Sequence, residues 1–361
     1  MKKIGILTFH CAHNYGAVLQ TYALQEFLKK HDYNTSVIDY RPSYILHQKK
    51  VYDLGRGFKN RSFLGKIRQL IILPLLYRKR CKRFDAFENF INTKLNLINI
   101  DRADHNQCDA VIVGSDQVWN LDLTGGADKY YGAYPETVAS KKKISYAASL
   151  GTCKFTDRVC DIFKEYLMNF DVISVREKTS AKILSQFTNK PVSTVLDPVF
   201  FMDDHIMEKI ILSQPKEKYV LVYEIHKDSN VLRIAKQIAK QLNCKIVRLA
   251  PSATLSINQN IYDCASVEEF LTFFKYAEFI VTTSFHGTAF SIINRKNFYT
   301  VKLGNSIDNR SMDLLSELGM EDRAIDKEGN YQFSDISYVD PNLKLINLQD
   351  LSKSFLLDNL K

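Results

Sequence analysis

The sequence predicts an α/β protein built from two doubly wound, Rossmann-like domains that face a crevice. Three observations predict this class. Short apolar runs of strand length alternate with longer segments whose apolar residues recur at helical spacing, which is typical of βαβ units in a parallel sheet. The 361 residues suffice for about two domains of roughly 150 residues each. The alternation also fades after Asp197-Pro198 and then begins again.

The first half opens with a βαβ unit. We predict a strand at Lys3 to Phe9, a helix at Ala17 to Lys30 and a second strand at Thr35 to Asp39. Because the helix is a crossover between two strands of one sheet, we expect these strands to run parallel. Further strands are predicted at 110–113, 143–147, 172–175 and 192–196, and a further helix at 155–167.

The second half repeats this pattern. Strands are predicted at 219–223, 245–249, 279–282 and 298–301, and helices at 231–242, at 267–276 and from Gly287 onward. We therefore predict an N-terminal domain at 1–205, with a basic insertion at 49–83, and a C-terminal domain at 206–345. The last segment, 346–361, is helical in pattern, and we expect it to pack across the domain junction.

The excess positive charge is confined to one segment. The formal net charge is +9, yet Lys49 to Arg83 contains 12 of the 49 basic residues and one of the 40 acidic residues. The segment therefore has a net charge of +11, and the rest of the chain has −2. This distribution disfavours a globally basic protein that binds nucleic acid.

Cysteines and apolar runs indicate the cellular compartment. The seven cysteines form no Cys-x-x-Cys pair, so neither a disulfide framework nor a zinc site is indicated. The longest apolar run, Leu70 to Tyr77, has eight residues, whereas a membrane-spanning helix needs about 20. We expect a cytoplasmic protein whose contact with a membrane, if it has one, is made at the inner face.

Polar or glycine-containing sequences follow five of the predicted strands. Ligands of open α/β sheets bind at the carboxyl ends of strands, where N–H groups of the next helix are unpaired. Four of these sequences belong to the first half and one to the second, so the two domains can close on a single ligand. They begin at Thr8, Gly114, Ser145, Ser174 and Ser284.

These pieces, taken in chain order, resemble the polysaccharide pyruvyl transferase family. The resemblance runs from about residue 4 to about residue 323 and implies a two-domain fold similar to that of GT-B glycosyltransferases. It also implies transfer of a pyruvyl group from phosphoenolpyruvate (PEP) to sugar hydroxyls. The matching pieces are Asn14-Tyr15-Gly16-Ala17-Val18-Leu19-Gln20, Gly114-Ser115-Asp116-Gln117-Val118-Trp119-Asn120, Ser174-Val175-Arg176-Glu177, Asp197-Pro198 and Ser284-Phe285-His286-Gly287-Thr288-Ala289-Phe290.

His286 is a candidate catalytic residue. It precedes the helix predicted from Gly287, whose first N–H groups favour an anion, and a neutral imidazole can move a proton there. A histidine that caps the turn is the structural alternative. The resemblance implies that an arginine two residues before this histidine helps to hold the donor, but this chain has Ser284. Lys302 and Arg310 are the candidates for the missing positive charge.

Arg176 and Asp116 are the other charged candidates. A guanidinium pairs bidentately with a carboxylate or a phosphate, and PEP carries both, although a salt bridge with Glu177 is the alternative for Arg176. Asp116 and Ser115 follow Gly114, which allows close approach of a ligand to the backbone. Asp116 can accept the proton of an acceptor hydroxyl, and capping a helix is an equally typical role for such a residue.

The turn after the first strand is predicted to contact a substrate through Asn14 and Tyr15. Its alternative is a turn held by its own side chains. The turn has neither the glycine pattern of dinucleotide-binding proteins nor that of P-loops, so we expect no nicotinamide or ATP. His10 and His13 have no third ligand nearby in the sequence, so we expect no metal. PEP is then a donor substrate, and no cofactor is expected.

Two interpretations of the basic segment remain open. Leu70 to Tyr77, flanked by basic residues, resembles an interfacial element that contacts anionic lipid, which would suit a lipid-linked acceptor. Alternatively, the segment is a solvated helical face, and Pro74 interrupts any long amphipathic helix.

The residues and the resemblance together predict a PEP-dependent pyruvyltransferase of polysaccharide biosynthesis, which forms a ketal on a sugar of a polysaccharide or a lipid-linked glycan. Arg176 and the helix start at Gly287 would bind the donor, and His286 and Asp116 would move protons. Two alternatives are a nucleotide-sugar-dependent GT-B glycosyltransferase and a noncatalytic module that binds membranes or polyanions. The acceptor sugar and the oligomeric state stay open.

Overall fold

The computed structural model describes residues 1–47, 63–100, 108–151, 153–225, 228–254, 256, 258–304 and 308–361. Residues 49–62 of the predicted basic insertion lie outside the described residues.

The first half of the described chain contains a seven-stranded sheet in which every pairing is parallel. Its strands are β1 (Lys3–Leu7), β2 (Asn34–Asp39), β3 (Leu97–Asn99), β4 (Ala110–Val113), β5 (Lys142–Ala148), β6 (Val172–Val175) and β7 (Val192–Thr194). Their order is β3-β2-β1-β4-β5-β6-β7. The helices of this half are α1 (Tyr15–Lys30), α2 (Ser43–His47), α3 (Phe63–Lys94), α4 (Leu121–Thr124), α5 (Asp157–Asn169), α6 (Lys178–Leu184), a 3₁₀ helix (Pro198–Phe201) and α7 (Asp204–Glu208).

The second half contains a six-stranded parallel sheet within the described residues. Its strands are β8 (Tyr219–Tyr223), β9 (Lys245–Leu249), β10 (Ile261–Tyr262), β11 (Phe279–Thr282), β12 (Asn297–Lys302) and β13 (Ala324–Asp326). The helices are α8 (Ser229–Leu242), α9 (Val267–Tyr276), α10 (Phe285–Ile293), α11 (Asn309–Leu318), a 3₁₀ helix (Glu321–Arg323) and α12 (Val339–Leu360). The order β10-β9-β8-β11-β12-β13 is the strand order of the Rossmann fold.

The predicted fold class is confirmed, because both halves are parallel sheets with interleaved helices. Strands β8 and β11 have the predicted bounds. All of their residues are buried, so each strand is a continuous run that the sequence pattern can delimit. The division of the chain near residue 205 stays a prediction.

Two local predictions were wrong. α10 begins at Phe285, with Ser284 as its N-cap residue, and not at Gly287. α3 continues through Pro74, because its turns on both sides of the proline supply enough backbone hydrogen bonds to maintain one helix.

The C-terminal helix α12 begins earlier than predicted and contacts the first half. The backbone N–H of Leu196 donates a hydrogen bond to Ser352 Oγ at 2.9 Å. Gln349 Nε2 donates to the carbonyl oxygen of Phe200 at 2.6 Å. Lys2 Nζ donates to the carbonyl oxygen of Leu360 at 2.9 Å. The first two bonds attach α12 to the segment that follows β7, which carries the site described next, and the third attaches it to the start of the chain.

Candidate active site

Buried charged side chains from both halves meet where the two domains face each other. Arg176 follows β6, Asp197 lies in the segment after β7, and His286 is the second residue of α10. Their exposed fractions are 9%, 1% and 7%. Because charges are rarely buried unless they are paired, the partners of these groups show what the cluster can do.

The Asp197 carboxylate is the centre of the cluster. Its Oδ2 accepts hydrogen bonds from Arg176 Nη1 at 2.7 Å and from Ser115 Oγ at 2.9 Å. Its Oδ1 accepts from the backbone N–H of Val199 at 3.0 Å, which caps the 3₁₀ helix. His286 Nε2 lies 3.8 Å from the same Oδ2, too far for a hydrogen bond but close enough for strong Coulomb attraction when the imidazole is protonated.

The environment sets the charge of each group. Burial opposes ionisation of Asp197, but Arg176 and His286 outweigh it and lower its pKa, so Asp197 is a carboxylate. Burial lowers the pKa of His286, and the attraction of Asp197 and Asp116 does not fully offset burial together with the repulsion from Arg176 and Arg310. The imidazole is therefore neutral near pH 7 and can accept a proton.

Two buried nitrogen atoms of the cluster have no hydrogen-bond partner among the described residues. They are Arg176 Nη2 and His286 Nε2. An unpaired buried polar atom costs about 1–3 kcal/mol, so such atoms are uncommon unless a ligand or solvent meets them. A bound ligand that carries oxygen atoms would satisfy both nitrogens.

Arg310 adds a second guanidinium. It is the second residue of α11. Its guanidinium carbon lies 6.0 Å from the centroid of the Phe285 ring, and that of Arg176 lies 4.5 Å from the same centroid. In the described part of the chain Arg310 forms no salt bridge. Burial and the neighbouring Arg176 lower the pKa of Arg310, and the attraction of Glu177, Asp116 and Asp197 does not fully offset them.

Both arginines line a cavity of about 280 Å³. This volume is near the lower end of the range for small-molecule sites, roughly 300–1,000 Å³. Phe285, Glu177 and Asp197 also contribute to its wall. The predicted salt bridge between Arg176 and Glu177 is present, with Nε 3.2 Å from Oε1, but it leaves Nη2 unpaired. The wall also contains the cation Lys178 and the carboxylates Asp313 and Glu317, and His286 is not among its residues. The charges of the cavity are therefore mixed, and Arg176, Arg310 and Lys178 are the lining groups that can bind an anion.

The loop after β4 brings Ser115 and Asp116 to the cluster. Gly114 has φ +120, and a Cβ there would lie 2.2 Å from the carbonyl oxygen of Tyr146, so no other residue fits. Asp116 also has a left-handed backbone, with φ 63. The alternative role of Asp116 as a helix N-cap was wrong, because Asn120 caps α4. Ser115 reaches the site through its bond to Asp197.

Asn14 and Tyr15 have structural contacts in place of the predicted substrate contacts. Asn14 is exposed and caps α1, accepting from the Gly16 N–H at 3.0 Å. The Tyr15 side chain is buried and stacks on Phe270 with a centroid distance of 4.3 Å. Its hydroxyl donates to the carbonyl oxygen of Ala265 at 2.8 Å and accepts from Arg83 Nη1 at 2.7 Å. Tyr15 therefore joins the two domains.

Lys302 does not replace the missing arginine, because it lies at the end of β12 and pairs with Asp326 at 3.0 Å. Gly287 has a packing role, since a Cβ there would lie 2.1 Å from Thr282 Oγ1. The Ser284 side chain makes no capping bond, and its backbone N–H donates to Thr282 Oγ1 at 3.1 Å. The helix start was predicted to bind the donor at Gly287. The part of this prediction that still applies is that the N–H groups in the first turn of α10 are unpaired.

Sequence reasoning missed three contributors, namely Gly16, Phe285 and the carboxylate of Asp197. A Cβ on Gly16 would lie 2.1 Å from His286 Nδ1, so the absence of a side chain in α1 makes room for the imidazole of the other domain. Gly16 and Asp197 both belong to the pieces that carry the family resemblance, which was the available signal. Their pairing with α10 depends on how the domains face each other.

The described end of the basic segment also contacts the other domain. Lys79 Nζ donates to Asp263 Oδ2 at 2.9 Å and to the carbonyl oxygen of Ser256 at 3.0 Å. Arg83 is buried against Tyr15. Arg78 and Lys82 are exposed. None of the helices in the described ranges combines the length and the apolar composition that crossing a bilayer requires.

Comparison with known proteins identifies a family and distant structural neighbours. A family model described as polysaccharide pyruvyl transferase matches residues 14–305. No curated protein sequence matches the chain. A putative UDP-N-acetylglucosamine 2-epimerase from Listeria monocytogenes is 10% identical, with 98% of this chain and 90% of that chain covered and a TM-score of 0.49. UGT89C1 from Arabidopsis thaliana is 8% identical, with 98% of this chain and 94% of that chain covered and a TM-score of 0.45. The fold assignment above rests on the strand order of the chain itself.

Proposed function

The chain belongs to the polysaccharide pyruvyl transferase family, and from this premise we propose that it transfers the pyruvyl group of PEP to two hydroxyls of a sugar, forming a cyclic ketal. The acceptor sugar belongs to a polysaccharide or a lipid-linked glycan. One observation carries the proposal. Two buried guanidiniums, Arg176 and Arg310, line one cavity, and Arg176 Nη2 and the neighbouring His286 Nε2 are unpaired.

Donor binding follows from the charges of the cavity. PEP carries a carboxylate and a phosphate, and a guanidinium can bind either through two parallel hydrogen bonds. Arg176 Nη2 is available for such a bond. Arg310 forms no salt bridge among the described residues, and an anion of the donor would offset its burial and its repulsion by Arg176. The first turn of α10 adds unpaired N–H groups at its positive end. In this proposal Arg310 supplies the charge that Ser284 cannot.

The reaction needs proton transfers that the neutral His286 can perform. Carbon 3 of PEP gains a proton, and the first sugar hydroxyl attacks carbon 2 and loses its own proton, so these two transfers balance. Phosphate then leaves, the second hydroxyl attacks carbon 2, and the proton of that hydroxyl departs on the phosphate. His286 Nε2 is the acceptor for a hydroxyl proton, and Asp116 is the second candidate for this role. The guanidiniums stabilise the negative charge of the departing phosphate.

The test is release of phosphate from PEP in the presence of a panel of glycans, including lipid-linked ones. We expect release that depends on one class of acceptor and that is abolished in His286→Ala and strongly reduced in Arg176→Ala. Lys302→Ala is the matched control, because Lys302 lies outside the cavity. Absence of acceptor-dependent release with every glycan of the panel would contradict the proposal.

A thermal unfolding assay separates this function from that of a nucleotide-sugar-dependent glycosyltransferase. A ligand that binds only the folded protein raises Tm, and the rise grows with ligand concentration relative to Kd. We expect PEP to raise Tm and UDP to leave it unchanged. Stabilisation by UDP alone would favour the glycosyltransferase.

Contact with the inner face of a membrane through residues 49–83 is a separate proposal about the acceptor. Lys79 and Arg83 are engaged at the domain junction, whereas Arg78 and Lys82 beside them are exposed and can contact anionic lipid. Each contributes up to about 1 kcal/mol at such a surface. We expect Arg78→Glu/Lys82→Glu to weaken cosedimentation with vesicles rich in phosphatidylserine. Unchanged cosedimentation, or no cosedimentation of the wild type, would overturn this proposal.

A further inference from the structure

We propose that Asp197 is the positioning residue of this site, which fixes Arg176 toward the donor and keeps His286 basic enough to take the hydroxyl proton. The inference rests on the proposed function and adds a residue that joins its two parts. Asp197 touches neither substrate in this account and acts through the two side chains beside it.

The first argument is geometric. One oxygen, Asp197 Oδ2, accepts from Arg176 Nη1 at 2.7 Å and from Ser115 Oγ at 2.9 Å and lies 3.8 Å from His286 Nε2. These three groups come from the residue that follows β6, from the loop after β4 and from α10. The other oxygen is held by the Val199 N–H, so the carboxylate cannot rotate freely. Asp197 thus fixes groups of both domains relative to each other.

The second argument concerns unused bonding capacity. The bond from Asp197 holds Nη1 of Arg176 and leaves Nη2 of the same guanidinium unpaired and buried. The Nε2 atom of His286 is also unpaired, although it faces the carboxylate. A cluster with a purely structural role would be expected to pair both nitrogens. This cluster instead leaves one nitrogen of each side chain without a hydrogen-bond partner among the described residues.

The third argument concerns the charges that face His286. Arg176 and Arg310 repel a proton on the imidazole, whereas Asp197 and Asp116 attract it, and the backbone of Gly16 in α1 packs against the ring. Without Asp197, two cations would face one carboxylate. The imidazole would then be a poorer base, although it must hold a positive charge after it takes the hydroxyl proton. The carboxylate that orients Arg176 therefore also stabilises the protonated imidazole.

The decisive experiment is an NMR titration of His286 in the full chain, labelled with ¹⁵N-histidine, for the wild type and Asp197→Asn. We expect the substitution to lower the pKa of His286 by about 1 unit, the lower end of the effect of a nearby opposite charge. Glu177→Gln is the matched control. It removes a buried carboxylate bonded to the same Arg176, but Glu177 is not among the main charges that act on His286. An unchanged pKa of His286 in a folded Asp197→Asn, or an equal change in Glu177→Gln, would overturn the inference.

A reciprocal measurement covers the case in which Asp197→Asn does not fold. In the wild type and in His286→Gln, the Asp197 carboxyl is titrated by its ¹³C signal. Loss of the imidazolium removes one of the charges that lower the pKa of Asp197, so we expect this pKa to rise. No change in the Asp197 pKa would overturn the inference.

The kinetic arm separates positioning from folding and from the reaction itself. In phosphate release from PEP, we expect kcat of Asp197→Asn to fall at least tenfold and the acid limb of its pH profile to move to lower pH. A wild type that releases no phosphate would overturn the proposed function, whereas the two titrations would still decide the positioning role. A wild-type pH profile retained in an active Asp197→Asn would overturn the inference alone.

Discussion

Two contacts join the domains through buried polar groups, and they differ in how completely those groups are paired. The junction site comprises Arg176, Asp197, His286 and Arg310, and the α3 contact comprises Lys79, Arg83, Tyr15 and Asp263. In the α3 contact no buried side-chain nitrogen or oxygen lacks a partner among the described residues, whereas the junction site leaves Arg176 Nη2 and His286 Nε2 unpaired. The α3 contact is therefore built for stability, and the junction site is built to receive a ligand.

The charged groups of the α3 contact are also more completely paired than those of the junction site. Asp263 Oδ2 accepts from Lys79 at 2.9 Å and also from the backbone N–H and hydroxyl of Thr254, at 2.9 and 2.8 Å. At the junction site, Arg310 has no salt bridge within the described ranges. Substitutions should therefore affect mainly stability at the α3 contact and mainly activity at the junction site.

His286→Ala should reduce activity strongly and change stability little, and we expect this contrast to be the largest among the variants. Loss of a general base reduces rates by about 100- to 10,000-fold. The imidazole forms no hydrogen bond among the described residues, so we expect only a small change in Tm. Phosphate release and thermal unfolding are measured on the same preparation. A large loss of Tm with kcat within a factor of two of wild type would assign His286 to a structural role.

Arg310→Ala should raise KM for PEP by about 10- to 100-fold, the range of a lost charged hydrogen bond of about 1.5–3 kcal/mol. Because Arg310 is repelled by Arg176, the substitution should not lower Tm. Lys302→Ala is the control, and its KM should equal that of the wild type, since Lys302 pairs with Asp326 away from the cavity. An equal rise of KM in both variants would remove Arg310 from the donor site.

Tyr15→Phe should have the opposite profile. It removes a hydroxyl that donates to Ala265 and accepts from the buried Arg83, so two partners lose a bond. We expect the free energy of unfolding in urea to fall by about 1–3 kcal/mol, with kcat for phosphate release within a factor of two of the wild type. A loss of kcat in a folded Tyr15→Phe would return Tyr15 to the substrate-binding residues.

The smallest expected effect is on the pH dependence of stability. Burial lowers the pKa of His286 in the folded protein below its value of about 6.5 in the unfolded chain. The unfolded chain therefore binds more protons just below pH 6.5, and stability falls as the pH is lowered through this value. His286→Gln should flatten the decline between pH 7 and pH 5 in urea unfolding. An identical slope in both proteins would show that His286 does not titrate in this way.

The sequence predicted the fold better than it predicted the roles of site residues. Strands β8 and β11 are fully buried apolar runs and were predicted residue for residue. The edge strands β3 and β13 have three residues each, too few to show a period, and were missed. Local patterns are readable where burial is continuous along the strand.

The sequence did not predict the roles of site residues whose contacts are distant in the sequence. Arg83 contacts Tyr15 although the two are 68 residues apart in the sequence. Tyr15 had been predicted to bind a substrate, and this bond makes it part of an interdomain contact. Arg176 meets Asp197 from 21 residues away, and no local pattern marks that pairing.

The central claim is that the junction site binds the anionic donor through Arg176 and Arg310, and calorimetric titration with PEP tests it most directly. We predict saturable binding of PEP to the wild type and to Lys302→Ala, and at least tenfold weaker binding to Arg310→Ala. Equal affinity of PEP for all three proteins, or no binding of PEP to the wild type, would contradict the claim.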